Sequence, residues 1–217
     1  MSASTDPKPY HHIRENEGAV LSFHHPGPDC DQSCNAQEHI FHVGTWNCIT
    51  CTGVYFALND GHCFVAHINP HVIVENPLAG SQSQVERFLT DAEGQELKDR
   101  LTKQLEATSI PAGWDASDVR KHSLVMVCPK LKEIRTVGGT VRKSCGLYVL
   151  QTLREFLNYP EAKVEEKAGG FIVAHPDGEP HFIQYEQERP PAEMTGYRQV
   201  DEFEEGTVKK WSFQFKH

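Results

Sequence analysis

Cys51 and His67 stand sixteen positions apart, and Thr45 precedes the cysteine by six. A thiol beside an imidazole is a nucleophile pair: the ring takes the thiol proton, and the thiolate is the species that attacks. A third group has to orient the ring, and the hydroxyl of Thr45 is the candidate. Whether the pair meets depends on a hairpin. Asn59-Asp60-Gly61 separates two apolar runs, Thr52 to Leu58 and His62 to Ile68, and is a strong turn signal. A three-residue loop with Gly61 in the left-handed region pairs Leu58 with His62, Val54 with Ala66, Gly53 with His67 and Cys51 with Asn69. Odd-numbered residues then share a face. Cys51 and His67 become diagonal neighbours, ~7–8 Å apart at the backbone. A two-residue loop would put them on opposite faces. Val54, Phe56, Leu58, Phe64, Ala66 and Ile68 form the other face, which is expected to pack on the core. Seven cysteines and thirteen histidines make chance pairs common, and a buried cysteine often serves as a small hydrophobe. From the pattern alone both readings stay open.

Two metal readings compete for the same residue types. Cys48-Ile49-Thr50-Cys51 followed by His67 and His71 has the spacing of a two-cysteine, two-histidine zinc finger. That module needs both histidines on one helix, but Asn69-Pro70 lies between them and the preceding residues alternate as strands. The expected geometry therefore fails. Cys30, Cys34, His39 and His42 form a second set of weak candidate ligands, for which a histidine-rich surface loop is the simpler account. Cys48 is either a resolving thiol for Cys51 or a buried spectator. Cys63, Cys128 and Cys145 read as packing, and His175 and His181 as strand-end surface residues. An odd number of cysteines excludes a complete set of internal disulfides.

The elements that position these residues follow from periodicity. Residues 1–17, polar and rich in Pro and His, read as a flexible N-terminal arm, and 18–217 as one α+β domain. Ala19 to Phe23 and His71 to Val74 are strand candidates, and Ser83 to Leu89 a short amphipathic helical piece. Thr90-Asp91-Ala92-Glu93 has the form of a capping box, opening a helix that carries Leu97, Leu101 and Leu105. Ser123 to Cys128 is a buried strand. A second helix carries Leu147, Leu150, Leu153 and Leu157 on one side and stops before Pro160. Gly169 to His175 and His181 to Tyr185 form a hairpin, Glu186 to Glu205 a long loop. Trp211, Phe213 and Phe215 alternate with polar residues as a single half-buried strand. The formal charge of −9 argues against nucleic acid and anionic membranes as partners, since both need a basic face. No apolar run reaches the ~20 residues of a membrane span, and the N-terminus lacks the core of a signal peptide, so a cytoplasmic location is expected.

At Thr45, Thr50-Cys51 and Ala66-His67-Ile68 the chain resembles the CheD chemoreceptor glutamine deamidases and the related catalytic domain of cytotoxic necrotizing factor. In that family a threonine stands six residues before the nucleophilic cysteine. A Ser or Thr directly precedes that cysteine, and Ala-His with a hydrophobic residue follows a strand and a turn. The specific likeness covers residues 40–75, and 95–185 share only an order of elements. Cys48-Ile49 stands where the family commonly has Leu-Gly. The resemblance implies a CheD-like α+β fold of mixed, sandwich-like sheets built from hairpins with flanking helices. It implies a cysteine amidohydrolase that converts a protein glutamine or asparagine carboxamide to the acid through a thioester, releasing ammonia. The implied roles are Cys51 as nucleophile, His67 as acid and base, and Thr45 as the group fixing the ring. No metal or organic cofactor is implied, and the partner would be a protein substrate. A distant relative acts on N-terminal asparagine. The loops 24–42, 76–84 and 186–205 would set the substrate. Two other classes remain: a non-enzymatic zinc-binding interaction module using residues 24–42, and a thiol protease, which would want a helix starting at Cys51 where a strand is expected.

Overall fold

A computed structural model describes residues 7–23, 42–59, 61–74, 84–86, 88–109, 120–176, 178–184, 196–200, 208–211 and 213–216. The N-terminal half runs through β1 (Lys8–His12), β2 (Glu17–Ser22), β3 (His42–Cys48), β4 (Thr52–Asn59), β5 (His62–Ile68), β6 (His71–Val74), β7 (Gln84–Glu86), β8 (Phe88–Leu89) and α1 (Asp91–Ser109). The rest comprises β9 (Val125–Cys128), β10 (Glu133–Arg135), β11 (Val141–Ser144), α2 (Cys145–Phe156), β12 (Glu165–Glu166), β13 (Gly169–Ala174), β14 (His181–Gln184), β15 (Tyr197–Val200), β16 (Val208–Lys210) and β17 (Gln214–Lys216). The fold is α+β and mostly strand. Two larger sheets organise it, ordered β14-β13-β3-β1-β15 and β12-β9-β4-β5-β2-β16. Both mix parallel and antiparallel pairs, β1 with β3 and β9 with β12 being parallel.

The β4–β5 hairpin is the centre of the molecule because both of its faces are buried. Val54, Phe56, Leu58, Phe64, Ala66 and Ile68 join Leu97, Leu101 and Leu105 of α1 and Val149, Leu150 and Leu153 of α2 in one core. Tyr55, Ala57, Cys63 and Val65 point the other way and meet Val43, Phe171 and Val173 of the five-stranded sheet. The layers are thus sheet, sheet, helices. Near-continuous apolar character from Thr52 to Leu58 is what a strand covered on both sides requires. The odd face is therefore a second core, and only its far end carries chemistry.

The register from Val54↔Ala66 and Gly53↔His67 is the one expected, but Leu58 does not pair with His62. A bulge between Ala57 and Asn59 pairs Asn59 with His62, absorbing the shift beside the turn. The capping box forms: the Thr90 N–H donates to Glu93 Oε2 at 2.6 Å and the Glu93 N–H to Thr90 Oγ1 at 3.4 Å. In α2, Leu147 is only half-buried, and Tyr148 and Val149 fill the core beside Leu150, Leu153 and Leu157.

Four expectations are corrected. Residues 8–17 are not a flexible arm. β1 lies between β3 and β15, anchored by buried Tyr10 and Ile13, two apolar residues hidden in a polar composition. Residues 84–86 and 88–89 are strands, paired to β6 and β11, so sheet partners override a weak helical pattern. β15 lies inside the stretch expected as loop, its ladder supplied by β1. The alternating C-terminal strand divides into β16, paired with β2, and β17, paired with β6. Trp211 and Phe213 between them are buried against the helix-side core, which the sheet edge alone would not cover. Among the described residues no helix is long and apolar enough to cross a membrane.

Candidate active site

Thr45 comes from β3 in one sheet, His67 from β5 in the other, and Cys51 from the short link by which the chain crosses between them. Asn47 makes the crossing possible. Its φ of 65° is left-handed, a region that asparagine enters more readily than most residues, and it curls the end of β3 toward β4. The Ile49 N–H donates to the Asn47 carbonyl at 2.8 Å, and the Cys51 thiol lies 3.6 Å from the same oxygen. The two sheets approach closely here because Gly53 has no side chain. A Cβ at that position would lie 2.7 Å from Thr45 Cγ2 and 3.2 Å from Cys48 Sγ.

The three side chains form a hydrogen-bonded chain. Thr45 Oγ1 donates to the Ile13 carbonyl at 2.8 Å and lies 2.8 Å from His67 Nδ1. A carbonyl can only accept, so the hydroxyl proton is committed to Ile13 and Oγ1 accepts from the ring. Nδ1 therefore carries hydrogen, which leaves Nε2 to share a proton with Cys51, whose Sγ is 2.8 Å away. Thr45 is fully buried, His67 2% exposed and Cys51 4% exposed, beneath a rim of exposed Asn47, Ile49 and Thr50. The backbone of His67 is held as well, its carbonyl accepting the Asn16 N–H at 2.9 Å.

Cys48 is closer to this chemistry than a spectator would be. Its Sγ is 3.8 Å from His67 Nε2. A hydrogen bond from Cys48, with His67 and the Thr50 backbone assisting, draws the Cys51 thiol down to about 4 against the opposing effect of burial. Cys48, hydrogen-bonded to Cys51 and buried, is pushed well up. One thiol of the pair thus holds a proton while the other is a thiolate, and the thiolate is the one nearer to His67.

The structure brings together Thr45, Cys51 and His67, and also Cys48, Cys51 and His67 of the finger-like spacing, but leaves His71 out. The His71 ring lies 3.3 Å from the Asn69 carbonyl through Nδ1. Cys30, Cys34 and His39 lie outside the described residues. Their companion His42 starts β3, half-buried and edge-on to Tyr197 at 5.4 Å, its pKa lowered by burial and by Lys8. Cys63 and Cys128 are packing thiols, burial raising the first and pushing the second up to about 12. The Cys145 thiol lies 3.4 Å from the Pro70 carbonyl. His175, expected at the surface, is buried, stacked on Phe23 at 4.6 Å with Nδ1 3.0 Å from the Tyr55 hydroxyl. His181 is exposed.

Sequence reasoning missed the Ile13 carbonyl, because a backbone acceptor leaves no mark in residue types. It also missed the turn at Asn47, for which the short polar asparagine between two strands was the available signal. Comparison with family models, with curated proteins and with solved structures finds no match in any of the three.

Proposed function

We propose that the protein is a cysteine-dependent amidohydrolase that converts a glutamine or asparagine carboxamide in a protein to the acid, with release of ammonia. One observation carries the reading: the unbroken chain from the Ile13 carbonyl through Thr45 Oγ1 and His67 to Cys51 Sγ, with contacts of 2.8 Å at each step. A nucleophile, a base and a group that fixes the base in one tautomer is the minimum for acyl transfer. The resemblance of Thr45, Thr50-Cys51 and Ala66-His67-Ile68 to the CheD deamidases narrows acyl transfer to the carboxamide. The strand that begins at Thr52, in place of a helix at Cys51, does not favour a thiol protease.

In this mechanism the proton shared by Cys51 and His67 sits on Nε2, and the Cys51 thiolate attacks the carboxamide carbon. Backbone N–H groups around Cys51 receive the oxyanion. The carbon–nitrogen bond breaks as Nε2 returns its proton to the departing nitrogen, so ammonia leaves and a thioester remains. Water then attacks the thioester while Nε2 takes its proton, and collapse yields the carboxylate with Cys51 restored. Thr45 keeps Nε2 directed at sulfur throughout.

The test is incubation of the metal-free, reduced chain with peptide libraries carrying internal glutamine, internal asparagine or N-terminal asparagine. Ammonia and the accompanying gain of about one mass unit per amide converted to acid are measured. Wild type is expected to convert one class, and Cys51→Ser to convert none while melting as wild type does. Full conversion by Cys51→Ser would show the mechanism to be wrong.

A further inference from the structure

We propose that Cys48 Sγ, Cys51 Sγ and His67 Nε2 form, among the described residues, a three-ligand site for a thiophilic divalent cation, zinc above all, with the fourth coordination position left to a non-protein ligand. These three atoms lie within 4.8 Å of one another, and all three residues are buried. Tetrahedral zinc with bonds of ~2.3 Å to sulfur and ~2.0 Å to nitrogen has edges of roughly 3.8 Å between sulfurs and about 3.5 Å between sulfur and nitrogen. The Cys48 Sγ to Nε2 distance of 3.8 Å is already close to such an edge. The Cys51 Sγ to Nε2 distance of 2.8 Å must open by roughly 0.7 Å, which a small side-chain rotation at the link accommodates.

Three further features suit a metal. Thr45 accepts the hydrogen of Nδ1, which presents the Nε2 lone pair inward and fixes the ring as a second-sphere partner does. The left-handed turn at Asn47 curls Cys48-Ile49-Thr50-Cys51 so that both sulfurs face one point. Two thiolates and an imidazole select zinc over magnesium or calcium, which require oxygen. His71 is not a ligand, so this site differs from a closed structural finger and resembles an open one.

Binding is balanced by proton release. Whether the site starts as thiol, thiol and neutral ring or as thiol, thiolate and charged ring, two protons leave when two thiolates and a neutral imidazole take the cation. Occupation and nucleophilic attack exclude each other, because the metal takes the Cys51 lone pair. The inhibitory consequence rests on the amidohydrolase reading, whereas the binding itself does not.

The experiment titrates the reduced, metal-free full chain with Co²⁺ as a spectroscopic stand-in for zinc. Expected are one cation per chain, a thiolate-to-cobalt charge-transfer band, release of two protons in weak buffer, and protection of both Cys48 and Cys51 from iodoacetamide by mass mapping. Cys48→Ser is expected to weaken binding at least ~10-fold, since loss of a ligand costs no less than loss of a second-sphere group. The double variant Cys30→Ser, Cys34→Ser keeps the band. Absence of the band, or a band that survives Cys48→Ser and disappears in the double variant, overturns the proposal. Mass mapping on wild type needs no variant, so a poorly folded Cys48→Ser leaves the test intact. Ammonia release is measured without metal, so either reading can fail alone.

Discussion

Replacing Thr45 by valine and by serine separates the hydroxyl from the methyl and tests whether the threonine positions His67. Valine keeps the volume that packs beside Gly53 but removes Oγ1, leaving the Ile13 carbonyl and His67 Nδ1–H unpaired in a buried setting. Each unsatisfied group costs ~1–3 kcal/mol, so Thr45→Val should lose about 3 kcal/mol of stability. For a chain of this size that lowers Tm by roughly 6–12 °C. Serine keeps both hydrogen bonds and loses one buried methyl, at about 1 kcal/mol, or roughly 2–4 °C. The reactivity of Cys51 should show the same order. Without Oγ1 the ring is free to move its hydrogen to Nε2, and the lost hydrogen bond, ~1 kcal/mol net, corresponds to an upward shift of up to about one pH unit in thiolate formation. The assay is the pH profile of iodoacetamide alkylation at Cys51, read by mass mapping beside thermal melting. Serine should reproduce the wild-type profile and valine should shift it. Equal profiles for valine and wild type, or a shift in serine as large as in valine, would refute the positioning role of the hydroxyl.

Alkylation of wild-type Cys51 should persist through mildly acidic pH and fall only near about 4, well below an ordinary thiol near 9.0. The sign follows from the thiolate being the reactive form: a lowered pKa keeps reactivity as pH falls, until the folded value is crossed. His67→Ala or Cys48→Ala should move the midpoint upward, and an unmoved midpoint in both would show that neither neighbour stabilises the thiolate. Gly53→Ala places a Cβ 2.7 Å from Thr45 Cγ2 and 3.0 Å from the Phe171 ring, so it should cost ~1–3 kcal/mol and shift the Cys51 profile as well. A Gly53→Ala chain with wild-type melting and profile would mean that the sheets separate freely there.

Much of the scaffold was legible because local rules and tertiary demands agree. Thr90 and Glu93 cap α1, Leu97, Leu101 and Leu105 face the core, and the register about Gly53 and His67 is the one expected, restored by the bulge between Ala57 and Asn59 beside the turn. Disagreement appears where a partner distant in sequence decides. β1 and β15 carry too few apolar residues to announce themselves; β3 and β15 supply the ladders of β1, and β1 supplies that of β15. The final alternating stretch has one period but two destinations, since β2 and β6 belong to separate sheets.

The same division runs through the candidate site. Residue types and the period of a strand named Thr45, Cys51 and His67 as candidates and put the last two on one side of the hairpin for one of two possible registers. They could not say how close the three would be, because that distance is set between two sheets. The absence of a side chain at Gly53 lets the sheets close, the left-handed turn at Asn47 aims both sulfurs, and the Ile13 carbonyl fixes the proton on His67 through Thr45. Sequence thus determined which groups are present. Packing of β3 against β5 decided their separation, their tautomer and the unequal acidity of Cys48 and Cys51, since each of these depends on atoms that come together only when the sheets do.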